Sequence, residues 1–406
     1  MSPDKTFSQN LNLFPKYIQS KLVYLLFFFF VFFPYLQILP LPTDTQPYAL
    51  VVSFFVFILL KKKFTRAEIM LLTLSLTSFF LFLIDGVSFN SLRSFLNYLS
   101  LFLISFAAFR VLRSELINFE LLLKFVSLTW FIVAAIQTFY SREFLTFLIS
   151  SSRTTENRGV TGLAPEPTFL GIVFIFFILM FTHSQTKNKN LYIAMCVFAI
   201  IFFAKSSMAV LFLVLMIFVW FVTSLNSRAL IVIILCGLFT PQFIEIMKDS
   251  RLGYILDKLL EDPMSVLLLD ASINDRFFHV FFSLKGFFDN LMIPNGYGSW
   301  GPYSSEQISI YSNYVIVEWF SSSGRIMSGF GSSFFELGIF ALVIPLVIFW
   351  HLYRIYNDNI STLLFYFIFI NAIMFSAIMV GFPLFCFYLG YLQYLAWRKN
   401  QCLILM

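Results

Sequence analysis

Long apolar runs follow one another along this chain, separated by short polar breaks. Runs near 22–40, 46–60, 67–84, 95–112, 119–140, 167–183, 190–204, 207–223, 228–243, 331–352, 360–380 and 382–398 approach the roughly 17–25 residues of a membrane-crossing helix. The pattern predicts an all-α, polytopic integral membrane protein of about 12 transmembrane helices. The pairs 190–204 with 207–223 and 360–380 with 382–398 are each joined by a very short turn. No linker or repeat divides the chain, so residues 1–406 read as a single transmembrane domain. Two polar segments interrupt it, a smaller loop at 141–166 and a large one at 244–330, between the ninth and tenth spans. Within the large loop, Leu252, Ile255, Leu256, Leu259 and Leu260 share one helical face, as in a helix lying at a membrane interface. Further on, 275–290 reads as a helix with Arg276, His279, Ser283, Gly286 and Asn290 on a polar stripe, three or four residues apart.

Charge orients the spans. Lys5, Lys16, Lys21, Lys61, Lys62, Lys63, Arg66, Arg110, Arg113, Lys187, Lys189, Arg228, Arg354, Arg398 and Lys399 fall on one side if the N-terminus is cytoplasmic. The short loops opposite carry only Arg93, Arg142, Arg153, Arg158 and Lys205. Basic residues favour the cytoplasmic side, so both termini are expected there and both long loops outside, in the periplasm if the membrane is a bacterial inner membrane. The first apolar run is too long for a signal-peptide core and lacks a small-residue cleavage site, so it reads as a retained helix.

Composition agrees with this reading. The chain is 59% hydrophobic and 12% charged, about half the charge of a soluble domain. Its net charge of +6 is scattered between spans and does not indicate nucleic-acid binding. The abundant phenylalanines, 58 in all, read as lipid-facing bulk, and Trp130, Trp220 and Trp350 as an interfacial belt. Cys196, Cys236, Cys386 and Cys402 lie in or beside spans or in the tail, which disfavours a disulfide framework or zinc site.

Candidate chemistry gathers on the outer side. The stretch RGVTGLAPEPTF (158–169) places Arg158 just outside a span and Glu166 at its mouth. Pro167 suits the first helical position, and the helix dipole favours a carboxylate there. Lys205, Arg276 and Arg325 join Arg158 on that side, with His279 and Glu318 beside them. Arginine forks match phosphate oxygens and lysine adds a point charge, so the set suits an anion held at the membrane surface. Asp44, in PTDTQP, reads as a turn aspartate, and Asp85 and Arg93 as caps of another turn. The sequence has no G-x-x-x-x-G-K-[ST] loop, no G-x-S-x-G elbow and no D-x-D pair. His183 and His351 sit at inner span ends, away from His279, so no metal site and no cofactor are expected. Apart from Lys124, the spans hold almost no ionisable residue at depth, unlike many ion-coupled transporters.

An R-x-x-x-G-L-x-x-E-P stretch before the sixth span resembles the O-antigen polymerase (Wzy) family. So do N-D-R-x-x-H at 274–279, P-N-G-Y-G at 294–298 and SGFGSSFFELGI at 328–339. These matches cover roughly 158–170, 203–210 and 270–345; elsewhere only hydropathy agrees. Lys205-Ser206-Ser207 departs from the family's common serine–arginine pair. The resemblance implies a metal-independent, GT-C-like glycosyltransferase that needs no cofactor. It would join undecaprenyl-pyrophosphate-linked oligosaccharide units in lipopolysaccharide or related polysaccharide biosynthesis. On that implication Arg158, Lys205, Arg276 and Arg325 hold the pyrophosphate, with Tyr314 and Glu318 nearby, and Glu166 or His279 takes a proton. Membrane lipids are expected neighbours, and a chain-length regulator is a possible partner. The rivals are an O-antigen ligase, which transfers glycan to lipid A–core, and a flippase or exporter of lipid-linked oligosaccharide.

Overall fold

The computed structural model describes residues 21–39, 41, 43–60, 63–150, 152–153, 158–224, 271–316, 325–376 and 378–405, with four isolated positions between 225 and 270. The ninth expected span, the interfacial helix at 251–262 and Glu318 lie outside the described residues.

Among the described residues the chain is helical, without a strand; one isolated bridge joins Leu36 to Ile149. We number the helices in chain order: α1 (Lys21–Phe32), α2 (Tyr48–Leu59), α3 (Arg66–Ile84), α4 (Phe89–Ser114), α5 (Phe119–Phe139) and α6 (Pro167–His183). Then come α7 (Lys189–Phe198), running into a π-helical turn at Ala199–Ala204, and α8 (Ser207–Ser224). The remainder are α9 (Ala271–Asp289), α10 (Trp300–Ile310), α11 (Gly329–Leu337), α12 (Val343–Tyr356), α13 (Ile360–Met374) and α14 (Pro383–Leu405). A 3₁₀ turn at Gly338–Leu342 joins α11 to α12. Five of the helical stretches are long and apolar enough to cross a membrane: α3, α4, α5, α8 and the composite 329–356; α1, α2, α6, α7 with its π turn, and α13 are shorter apolar helices. Phe54, Phe80, Phe125 and Leu211 stand exposed along them. A soluble protein rarely carries so much exposed apolar surface, and the bundle is built for a membrane.

Contacts sort the helix termini into two ends. At one, which we call the Glu166 end, Asp44, Asp85, Ser94, Glu166, Tyr297 and Glu336 are linked side chain to side chain or backbone. At the other, His183 bonds both Tyr356 and Tyr388, and Lys399 reaches Asp358. Near this second end the wholly buried pair Arg110–Glu68 ties α4 to α3 at 2.9 Å.

Helix α6 is the central post. Every residue from Leu170 to Phe181 is buried, as a helix apolar on all sides requires. The Phe-rich run of α1 also turns inward: Phe32 meets Phe387 at 5.1 Å and Phe28 meets it at 5.8 Å between ring centres. Phe27, Phe28 and Phe32 are at most 2% exposed. The lipid-facing reading therefore does not hold for them, because aromatic faces and edges interlock to fill the bundle.

Helix α1 stops at Phe32, well before residue 40, because Pro34 pushes the residue before it out of the helical region. The break leaves carbonyls to satisfy. Trp130, fully buried in mid-α5 rather than at an interface, donates its indole N–H to the Phe32 carbonyl at 3.1 Å. Its ring stacks on Phe33 at 6.0 Å. Trp130→Phe keeps the stacking and removes the donor. It should lower stability by about 1–3 kcal/mol, the cost of an unsatisfied buried acceptor, read as a lower midpoint in detergent-driven unfolding.

Helix α4 starts at Phe89 rather than near 95, since Ser88 and Ser91 form a reciprocal cap over the polar first turn. That extra turn carries Arg93 inside the helix, where it faces the bundle and not a loop.

Candidate functional site

The Glu166 end holds two neighbourhoods. The first is assembled around the turn between α7 and α8. Here the π-helical turn ends in Lys205, whose backbone is left-handed with φ of 44°. The segment after Arg158 lies directly on this turn: Val160 donates to the Phe203 carbonyl at 2.9 Å. At Gly159 an added Cβ would come 2.0 Å from the Ala204 carbonyl oxygen, so only glycine permits the approach. The Arg158 carbonyl accepts from Arg142 Nη2 at 3.0 Å. At the start of α8, Met208 Sδ accepts from Arg276 Nη1 at 3.4 Å. The backbone after Arg158 and the Arg276 guanidinium thus meet the chain on either side of Lys205. Ser206 donates to Thr168 Oγ1, in the first turn of α6.

Glu166 occupies the N-cap of α6, but its carboxylate does not cap the helix. It takes a 2.9 Å ion pair from Arg153 Nε instead. Arg153 Nη2 reaches Asp44 at 2.7 Å, so one guanidinium bridges two carboxylates. The sequence reading took Asp44 as a turn aspartate and Arg153 as one charge of a short outer loop; the structure joins them.

Arg153 and Asp44 lead to the second neighbourhood. Asp44 lines a cavity of about 300 Å³ whose mouth also carries Arg93 and Arg325. Its walls are mostly apolar, with Leu50, Leu96, Ile104, Phe169, Ile172 and Phe382 reaching inward. Burial holds the Arg325 guanidinium below its ordinary range; Asp44 opposes that shift, Arg153 adds to it, and Asp275 and Glu166 oppose it more weakly.

Under this mouth, Glu336 is buried in α11 and accepts from Tyr98 Oη at 2.5 Å and Ser94 Oγ at 3.0 Å. An acid inside the bundle was not expected from the hydropathy of this span. The signal lay in the E of SGFGSSFFELGI, and in Ser94 and Tyr98 four residues apart on the facing helix.

The motif residues divide between architecture and surface. Asn274 is buried and clasps the segment after α10, donating to the Tyr314 carbonyl and accepting from the Ile316 N–H. Tyr314 itself is exposed. His279 is fully enclosed, stacked on Trp300 at 5.6 Å with Asp275 Oδ1 3.4 Å from Nε2. The polar stripe of α9 is its packing face: Ser283 meets Gly331, and Gly286 meets the Phe335 ring. In P-N-G-Y-G, Asn295 binds the Phe335 carbonyl, and Tyr297 takes Asp85 on its N–H and Ser78 on its hydroxyl. Gly296 has φ of +78° and sits against the Asp85 carboxylate, a place closed to any larger residue. Asp85 therefore fastens α9 and α10 to the bundle rather than capping its own turn.

Among the described residues, no three His, Cys, Asp or Glu side chains come together to hold a metal ion. Compared with known proteins, the chain matches no family model and no curated protein.

Proposed function

We propose that the protein is a metal-independent glycosyltransferase that polymerises undecaprenyl-pyrophosphate-linked oligosaccharide units at the outer face of a bacterial inner membrane. The observation that carries this reading is the shared end of the bundle. Arg158, Lys205 and Arg276, the Glu166 carboxylate and an apolar cavity with cations at its mouth all lie there. A lipid-linked anionic donor needs just such a junction of apolar volume and cations.

In the reaction, an acceptor sugar hydroxyl attacks C1 of the donor glycan. The C1–O bond to the pyrophosphate breaks, and the pyrophosphate leaves with the electron pair. Arg158 and Arg276, with Lys205, take up the growing negative charge. Losing one such donor costs roughly 100–1000-fold in comparable oxyanion sites. The hydroxyl proton passes to a carboxylate. Glu166, partly exposed, is better placed for this than the enclosed His279. Arg153 holds it in position. Pyrophosphate leaves without a general acid, so the paired carboxylates of a glycoside hydrolase are not required.

The test uses Arg158→Ala, Glu166→Ala and Arg276→Ala in cells lacking the native copy, each checked for membrane abundance. With abundance normal, surface polysaccharide on a gel should collapse from a ladder to a single unit on the core. Loss of single units as well would mean ligation or export, and full ladders in all three would place the site elsewhere.

A further inference from the structure

The segment between α1 and α2 supplies one side of the 300 Å³ cavity: Tyr35, Thr43, Asp44 and Gln46 all stand in its wall. Pro34 ends α1 and turns this polar stretch over the bundle, where the Gln46 N–H donates to the Pro34 carbonyl at 2.8 Å. Tyr35 and Gln46 are 1% and 3% exposed. Among the described residues, Tyr35 Oη, Thr43 Oγ1 and Gln46 Oε1 are enclosed without a hydrogen-bond partner. Buried hydroxyls and amides nearly always have one, so three such oxygens in one short stretch, all on residues of one cavity wall, point to a ligand.

Their chemistry narrows that ligand. Gln46 Nε2 donates to the Thr43 carbonyl, which fixes Oε1 on the other side of the amide. A carbonyl oxygen only accepts, so its ligand must donate, whereas the Tyr35 and Thr43 hydroxyls can do either. A hydrocarbon chain would leave all three oxygens unpaired, and a phosphate has no donor to offer Gln46. A molecule bearing several hydroxyls serves all three. The Tyr35 ring packs on Phe169 and Phe382, at 5.7 and 6.0 Å between ring centres, and both belong to the same wall. A few polar groups set in an aromatic and apolar pocket suit a small organic ligand, and a sugar ring has apolar faces as well as hydroxyls.

We propose that the α1–α2 side of this cavity is a saccharide subsite, in which Tyr35, Thr43 and Gln46 bind hydroxyls of the sugar carried by the lipid-linked substrate. Tyr35 and Thr43 can turn to the sugar without breaking any side-chain hydrogen bond of their own. Phe169 lies in the first turn of α6 and donates its N–H to the Glu166 carbonyl at 3.1 Å, so the bound sugar lies beside the helix tip that carries the proposed base. Residues that bind a substrate hydroxyl select strongly against sugars lacking it. That the sugar comes from a lipid-linked unit rests on the glycosyltransferase reading; the saccharide site itself does not.

The probe is the saccharide released by mild acid from the lipid-linked units of cells lacking the protein. It would be titrated onto full-length protein in nanodiscs of neutral lipid. Tyr35→Phe and Thr43→Val should each weaken binding about three- to tenfold, as loss of a neutral hydrogen bond does. The same variants should leave the unfolding midpoint of the sugar-free protein unchanged or raised, since each removes a buried oxygen that no protein group satisfies. Oxygens with a purely structural role would give the opposite: a lower midpoint and unchanged binding.

No binding by the wild type, or binding that neither variant alters, means that the oxygens face only water and overturns the subsite. Undecaprenyl phosphate displacing the saccharide while losing nothing in either variant, with the saccharide equally indifferent to them, would make the cavity a lipid pocket and also overturn it. Saccharide binding that depends on Tyr35 in a protein that makes no ladder leaves the subsite standing and removes the polymerase reading. A wild-type ladder with no saccharide bound here does the reverse.

Discussion

Glu68→Ala should nearly empty the membrane of this protein. Glu68 and Arg110 are each 2% exposed and meet at 2.9 Å. Glu68 also accepts from the Thr65 N–H in a capping box, while Arg110 donates to the Lys63 carbonyl. The guanidinium lies between the rings of Phe106 and Phe109, at 4.8 and 4.9 Å. Removing the carboxylate leaves a charge enclosed by aromatic carbon, and breaking such a pair costs about 3–5 kcal/mol. That is a large share of the stability of a typical domain. Replacing both partners by apolar residues of similar size removes the charge along with its partner, and is often neutral. The double variant Glu68→Leu, Arg110→Met should therefore recover most of the abundance that Glu68→Ala loses, measured by membrane fractionation and unfolding midpoint. A double variant as depleted as the single one would show that the pair does more than neutralise itself.

Gly159→Ala should abolish the polysaccharide ladder while leaving much of the protein in the membrane. The new methyl would meet the Ala204 carbonyl oxygen at 2.0 Å, and the next nearest atoms are backbone too, so no side chain can swing aside to make room. The segment carrying Arg158 must lift from the turn that ends in Lys205, losing the Val160 bond to Phe203. A displacement of about 1 Å in a positioned group can cost on the order of 100-fold in rate. The readout pairs ladder length with abundance. A full ladder at normal abundance would mean that the seating of Arg158 on the α7–α8 turn is not needed.

The bundle was legible where one physical rule governed the sequence. The run from Pro167 to His183 has proline at its first helical position, unbroken apolar residues behind it and a polar turn after it, and its bounds in the structure are those read from the chain. Helix α1 was overextended because hydropathy does not register the backbone consequence of Pro34. Helix α4 was begun late because Asn90, Ser91 and Arg93 look like loop residues until the Ser88 cap is recognised.

The site was legible only in part, for a different reason. Arg158, Lys205 and Arg276 could be grouped because the charge pattern puts them on one side of the membrane; the contacts shown are the backbone after Arg158 on the turn before Lys205 and Arg276 on Met208. The Asp44–Arg153–Glu166 chain joins residues more than a hundred positions apart through loops whose spacing obeys no period. Arg93 and Glu336 become meaningful only when α4, α11 and the cavity mouth are assembled. The enclosure of His279 likewise follows from Trp300, which a helix wheel of α9 does not include.

Helix α6 has one more consequence, a mechanical one. At about 1.5 Å per residue it is a rod of roughly 25 Å, held at one tip by the Tyr356 and Tyr388 hydroxyls on His183, at 2.6 and 2.7 Å. Its other tip carries Glu166, ion-paired to Arg153, with Thr168 taking a hydrogen bond from Ser206. Fixed at both tips and buried between them, the rod sets the spacing between the two ends of the bundle.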